Sequence, residues 1–273
     1  MNKKPKRTIG MLTDVGKRRE IDEDSILAAD LSFGINSESN QFLLLAVADG
    51  MGGHAKGEEA SKIALNTIAR TVIPELHNNL PFTKLLDQGI QNANQEILDF
   101  TEKHPESAGM GTTSVCALVK DDEVHLANVG DSRAYVVSHD EIRRVTKDHS
   151  YVQGLVDQGE ITEAESREHP QKNVITKAVG ISSSIESDTM RLKLAYDETL
   201  LLCCDGVIAH LTDEDIHKTI FDSPDPQTAC QKIVDLANER GGTDNISLII
   251  LSSEETDSKE DSETIEDEKT IIK

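Results

Sequence analysis

An α+β protein built on antiparallel sheet is the fold class this sequence predicts, on three observations. Residues 112–119, 123–128 and 133–138 are short runs rich in β-formers, separated by Asp121-Asp122-Glu123 and by Gly130-Asp131-Ser132. Two connected hairpins of this kind imply antiparallel pairing. Helical periodicity is confined to blocks on either side, near residues 58–71, 81–104, 213–221 and 226–240. With 273 residues and a hydrophobic share of 37%, the chain can bury a substantial core, as one large domain or two small ones.

In chain order, residues 8–13 predict a strand ending at Asp14, and the charged segment Arg18, Arg19, Glu20, Asp22, Glu23, Asp24 leads to a second at 25–29. A solvated surface loop would account for those charges without any function. An apolar run at 42–48 then delivers Asp49 into a turn containing Gly50, Gly52, Gly53 and Gly57. Two readings stand for Asp49. It is a solvated turn residue, or a carboxylate at a rigid strand end that, with the Gly50 carbonyl, is presented to a cation. The helix at 58–71 has Ala60, Ile63, Ala64, Thr67 and Ile68 at helical spacing. A second helix, with Pro81 near its first turn, carries Leu85, Leu86, Ile90, Ala93, Ile97 and Phe100.

Asp131, between the second and third β-runs, reads locally as ordinary Gly-Asp-Ser turn chemistry. Residues 148–188 have weak regular signal and predict a surface excursion, holding one short amphipathic helix, that borders a site. His149 and His169 within it read as satisfied or surface histidines. A strand at 199–204 runs into Asp205-Gly206, repeating the Asp49-Gly50 junction, and adjacent sheets can bring two such ends together. Helices follow at 213–221, capped by Thr212, and at 226–240, ended by Gly241-Gly242; Thr243-Asp244-Asn245 then leads into a last strand at 246–251. Residues 254–273 hold nine acids, three lysines and no aromatic residue, which predicts a disordered acidic tail.

The chain has 28 basic and 50 acidic residues, a formal charge of −22. That argues against nucleic-acid or anionic-membrane binding and is compatible with attracting divalent cations. Cys116, Cys203, Cys204 and Cys230 show no CxxC spacing, and Cys203 and Cys204 in one strand would point to opposite faces. They read as reduced packing residues. The basic start MNKKPKRTIGML lacks the apolar stretch of about 7 to 15 residues of a signal peptide, so a cytoplasmic location without membrane insertion is expected.

The ordered set TDVGKRREIDEDS, VADGMGGHAKGEEAS, GMGTTSV, NVGDSRAY, DHSYVQGLVDQGEIT, HPQKNVITKAVG, LLLCCDGV and GGTDNISLIIL resembles the metal-dependent protein phosphatases (PPM, type 2C), over about residues 8–251. The DGMGGH form is similar to the bacterial branch that reverses Ser/Thr kinase signalling. The resemblance implies a four-layer α/β/β/α sandwich of two antiparallel sheets in a domain spanning 8–253, with 1–7 an N-terminal extension and 148–188 a flap. It implies that Asp49 bridges two divalent cations, that Gly50 offers its carbonyl to one, and that Asp205 and Asp244 hold the other. Glu23 and Asp24 match the acidic pair that orders water, Arg19 the arginine that grips substrate phosphate, and Asp131 a ligand of a weaker third cation. Hard oxygen ligands without His or Cys select Mg²⁺ or Mn²⁺ over zinc.

The implied activity is hydrolysis of phosphoserine and phosphothreonine in proteins by a monomeric enzyme whose partner is a cognate Ser/Thr kinase. Departures from the pattern are Asp22 where Asn is common, Lys177 where Arg is usual and Cys204 in place of Ser; none removes a ligand. Met51 stands where eukaryotic relatives have a histidine thought to protonate the leaving group, so the general acid is unassigned. Two other readings remain: a non-catalytic phosphoprotein-binding domain, disfavoured by the presence of Asp49, Asp205 and Asp244, and a metal-dependent hydrolase of small esters.

Overall fold

The computed structural model describes residues 6–35, 38–52, 56–78 and 80–254. Gly53, residues 1–5 of the N-terminal extension and residues 255–273 of the tail lie outside them.

Two antiparallel sheets form the centre. The first has the order β1-β11-β10-β7-β8, comprising β1 (Lys6–Asp14), β11 (Ile246–Glu254), β10 (Thr199–Cys203), β7 (Arg133–Val137) and β8 (Ile142–Arg144). The second has the order β2-β3-β5-β6-β9, from β2 (Asp24–Ile35), β3 (Glu38–Met51), β5 (Ser114–Lys120), β6 (Glu123–Val129) and β9 (Asp188–Lys193), with β4 (Gly111–Thr112) on the end of β3. Helices α1 (Gly57–Glu75) and α2 (Phe82–Lys103) cover the second sheet. The first is covered by α5 (Asp205–Ile208), α6 (Asp213–Phe221) and α7 (Pro226–Glu239). This is the four-layer α/β/β/α sandwich.

Three apolar layers hold it together, and the alternation along β3 shows how. Leu43, Leu45 and Val47 point into the layer between the sheets, where they meet Leu200, Leu202 and Ile249. Phe42, Leu44, Ala46 and Ala48 point the other way, onto Ala64, Ile68, Leu86 and Ile90 of α1 and α2. Burial on both faces is why the run reads as uninterrupted hydrophobicity. Cys203 and Cys204 divide likewise between the third layer and the inter-sheet layer, and all four cysteines are free and buried.

The helix caps follow the sequence. Thr212 and Asp215 close a reciprocal capping box on α6, and Asp225 accepts from Thr228 N–H ahead of Pro226 at the start of α7. The 148–188 excursion contains the expected helix, α3 (Tyr151–Asp157), and also α4 (Glu163–Glu168).

The structure corrects the second hairpin. β6 and β7 belong to different sheets, so Gly130-Asp131-Ser132 carries the chain across the sandwich instead of returning it along one sheet. Gly130 has φ +101°, and a Cβ there would strike Thr113. β8 and β9 were not foreseen: β8 is only three residues long and β9 is largely exposed, so neither carries an apolar signature. β3 also runs past Asp49 to Met51, because Gly50 and Met51 pair with β4. At the termini, β1 starts at Lys6 and β11 reaches Glu254, so both strands extend slightly beyond the predicted domain limits.

Candidate metal centre

The crossing at Gly130-Asp131 opens one end of the sandwich, and the acidic residues singled out by sequence collect there. Asp49 comes from β3 of one sheet, Asp205 follows β10 of the other, and Asp244 precedes β11. Asp24 faces Asp49 across the β2–β3 ladder. Asp131 sits on the crossing itself, 6% exposed.

Asp49 is fixed by its backbone. Its N–H donates to Thr113 Oγ1 at 3.0 Å, and its carbonyl accepts from Thr113 N–H and Thr112 Oγ1, both at 2.8 Å. Thr113 is free to do this because it falls in the break between β4 and β5. Gly50 N–H donates to the Glu23 carbonyl at 3.1 Å, and Ser61 Oγ donates to the same oxygen at 2.7 Å. A Cβ on Gly50 would collide with the Gly57 and Glu23 carbonyls, so the close approach of β3, the Glu23 loop and α1 requires glycine. Glu23 Oε1 accepts from Gly57 N–H at 3.3 Å at the start of α1.

Burial raises the Asp49 carboxyl far above its ordinary range, and Asp24, Asp205, Asp131 and Asp244 add repulsion. Asp205 is raised by burial and by Asp244, while its proximity to Asp49 works in the other direction. Burial lifts Asp24 to about 7 and Asp131 to about 8, with Asp205 contributing to both. Ser247 and Cys204 lie close enough to Asp24 to favour its charged form, but neither makes a well-formed hydrogen bond, so both Asp24 oxygens lack a partner, as does Asp131 Oδ1. Such groups call for protons or cations. Among the described residues, no three His, Cys, Asp or Glu side chains are already set as a closed ligand cage. What the site offers is a converging, oxygen-only and under-neutralised set of donors, which fits hard divalent cations.

Arg19 is the cation at the rim. Its Nη2 lies 2.9 Å from Asp244 Oδ2 and its Nη1 3.4 Å from Glu23 Oε2, with the side chain 45% exposed. Burial works against its charge, but Asp244, Glu23 and Asp49 outweigh that and leave its pKa raised. Within the charged segment 18–24, Arg19, Asp22 and Glu23 are therefore tied to neighbouring groups, while Arg18 and Glu20 are exposed. Beside Asp131 and Asp205 a cleft opens, lined by Arg144, Arg167, Lys172, Ile208, His210 and Thr212. The 148–188 excursion thus lines this cleft with Asp148, Gln153, Glu163, Arg167 and Lys172. His149 is satisfied, its Nδ1 accepting from Gly130 N–H at 3.0 Å and its Nε2 lying 3.2 Å from Asp188.

Sequence reasoning missed the groups that hold the site in place. Asn245 accepts from Glu23 N–H at 2.9 Å through Oδ1 and donates to the Val15 and Ile21 carbonyls at 3.0 Å through Nδ2. Its only signal was its place after Asp244 at the start of a strand. Thr112 and Thr113 looked like β-formers, and their hydroxyls carried no distinguishing spacing.

Fold and site together define a class: four-layer sandwiches that gather carboxylates at one end of paired antiparallel sheets. The family described as Protein phosphatase 2C matches residues 24–235. The serine/threonine phosphatase stp of Listeria innocua serovar 6a is 32% identical over 241 residues, covering 88% of this chain and 93% of that protein. The crystal structure of the Mycobacterium tuberculosis serine/threonine phosphatase PstP/Ppp superposes with a TM-score of 0.81 at 31% identity, over 91% of this chain and 99% of that one. A structure of the PstP catalytic domain in complex with two manganese ions gives a TM-score of 0.79 at 30% identity, over 91% and 99%. The chain belongs to the protein phosphatase 2C family.

Proposed function

We propose that this protein hydrolyses phosphoserine and phosphothreonine monoesters in proteins, using two Mn²⁺ or Mg²⁺ ions, and so opposes a Ser/Thr protein kinase. The observation that carries the reading is the buried carboxylate set with unpaired oxygens at the sandwich mouth. The manganese-bound relative supports the choice of metal.

Asp49 would be shared by both ions, the Gly50 carbonyl would serve one, and Asp205 and Asp244 the other, with Asp131 available to a weaker third. When bound, the ions supply Lewis-acid polarisation of the phosphoryl group and of the attacking water, and offset the carboxylate charge. The protein's own groups do the rest. Arg19, half-exposed and held by Asp244 and Glu23, presents a planar fork to the substrate phosphate. Asp24, with two unpaired oxygens, orients the water by accepting its hydrogens, and Glu23 supports it from the loop clamped by Asn245. Because water attacks directly, no phospho-enzyme forms.

Among the described residues no helix is long and apolar enough to cross a membrane, and we place the enzyme in the cytoplasm as a monomer. The test is phosphate release from a phosphothreonine peptide with Mn²⁺, with Mg²⁺ and with EDTA. Turnover that needs the metal supports the reading; metal-independent turnover, or binding of phosphopeptide without turnover, overturns it.

A further inference from the structure

His210 lies outside the carboxylate set, yet it joins the two segments that supply Asp205 and Asp244. It follows α5, the short helix that begins at Asp205, so Asp205 and His210 sit on one compact turn. On the other side, the Gly241-Gly242 pair that ends α7 has φ of +135° and +51°. Backbone bonds pin the pair itself, from Gly241 N–H to the Asn238 carbonyl, from Gly242 N–H to the Ala237 carbonyl and from Lys17 N–H to the Gly242 carbonyl, and the next residue, Thr243, needs its own fastening. His210 provides it. Thr243 N–H donates to His210 Nε2 at 3.0 Å, and Thr243 Oγ1 lies 2.9 Å from the same nitrogen. Nε2 is thus an acceptor, and the neutral ring carries its proton on Nδ1.

The backbone of His210 is itself anchored. The His210 carbonyl accepts from Arg240 Nη1 at 3.0 Å, and Arg240 forks onto Asp215 at 2.6 and 2.8 Å. Asp215 is the residue that closes the α6 capping box. The connection therefore runs from a helix start, through Arg240 and His210, to the loop that holds Asp244.

We propose that His210 is a positioning residue for the metal centre: by holding Thr243, it sets the separation of the Asp205 and Asp244 carboxylates, and through Asp244 the placement of Arg19. This rests on the reading of Asp205 and Asp244 as ligands of one cation. Groups that orient ligands from behind typically contribute about 10- to 100-fold to metal affinity.

The test uses the full chain with His210→Ala and His210→Gln, since the Gln side-chain oxygen can take the acceptor place of Nε2. Calorimetric Mn²⁺ titration should show affinity weakened about tenfold or more in His210→Ala and within about threefold of wild type in His210→Gln. At saturating Mn²⁺, His210→Ala should recover kcat while its KM for phosphopeptide stays raised, because Arg19 has lost a fixed partner. Thermal unfolding in EDTA separates this from a general loss of fold. Unchanged Mn²⁺ affinity and KM in His210→Ala, or equal defects in both variants, would overturn the proposal alone. Absence of Mn²⁺ uptake by the wild-type chain would overturn it together with the metal reading.

Discussion

Asp24 and Asp49 stand directly opposite each other on the β2–β3 ladder, one buried acid and one half-buried, where a cross-strand pair of like charges is destabilising. A fold keeps such a pair when function requires the charge density. Asp49→Asn should therefore lower phosphopeptide kcat by roughly 10²-fold or more at saturating Mn²⁺, with Asp205→Asn and Asp244→Asn close behind. The same substitution should raise the melting temperature in EDTA, since it removes one of the repelling carboxyls. Near wild-type turnover in Asp49→Asn would sink the binuclear assignment.

Those raised acids also fix a pH dependence. Asp24 titrates at about 7 and Asp131 at about 8, against ordinary carboxylate values near 4. The fold thus favours their protonated forms. Their stabilisation is complete below about pH 4 and is lost as pH rises through about 7 and then about 8. For Asp24 alone, ionisation costs on the order of 4 kcal/mol. Asp215, whose pKa is depressed by Arg240, works in the opposite sense, but only at pH well below this window. His125, His149 and His210, whose pKa values burial lowers, add stability as pH rises towards about 6.5, so in EDTA the melting temperature should fall above that, between about pH 6.5 and 8.5, and saturating Mn²⁺ should flatten the fall. A rising melting temperature in EDTA over that range would contradict the assignment.

The strand-then-Asp-Gly junctions at Asp49 and Asp205 were legible because an apolar run followed by Asp-Gly is a strong local pattern, and two strand ends meeting is a simple topological expectation. The sheet change at Gly130 was not legible. A Gly-Asp-Ser turn looks the same whether it reverses a strand or crosses a sandwich, and only the pairing of β7 with β10 decides. Asn245 and His210 were missed for a related reason. Each acts by hydrogen bonds to backbone far away in sequence, at Val15, Ile21 and Glu23 for one and at Thr243 for the other, and such bonds leave no periodicity.

The acidic tail is expected to contribute nothing to the catalytic core, on composition. Because Glu254 still pairs with Lys6 in the β1–β11 ladder, the cut that tests this falls after Glu254. Removing residues 255–273 should leave kcat, KM and melting temperature unchanged. A clear drop in melting temperature would show that the tail docks.

Arg19 and Asp131 should separate by kinetics. On the proposed reading Arg19 would hold the phosphate in ground and transition states alike, so Arg19→Ala should raise KM for phosphopeptide, with any fall in kcat measuring extra transition-state contact. Asp131 is buried, with an unpaired oxygen near Asp205, so Asp131→Ala should lower kcat while calorimetry still finds two tightly held Mn²⁺. If Asp131 were only a turn residue, kcat and stoichiometry would both stay as in wild type, and stability would drop by about 1 kcal/mol.

Asn245 gives the sharpest test of how the loop that carries Arg19 is held. It is 4% exposed and makes three hydrogen bonds to backbone on residues 15–23, the segment that carries Arg19 and Glu23. Ala at this position leaves the Glu23 N–H and the Val15 and Ile21 carbonyls without those partners. The cost of orphaning buried backbone groups is about 1 to 3 kcal/mol each, partly recovered by relaxation, so a net loss of about 2 to 4 kcal/mol is expected from chemical denaturation. The loosened loop should also raise KM, because Arg19 no longer arrives pre-placed beside Asp244. Asn245→Asp keeps the acceptor for Glu23 N–H but sets a carboxylate against two carbonyls and beside Asp244, so it should be no better than Ala. A variant Asn245→Ala with wild-type KM and a stability loss below about 0.5 kcal/mol would show that the loop is held by other contacts, such as the 2.7 Å bond from Lys17 N–H to the Gly242 carbonyl.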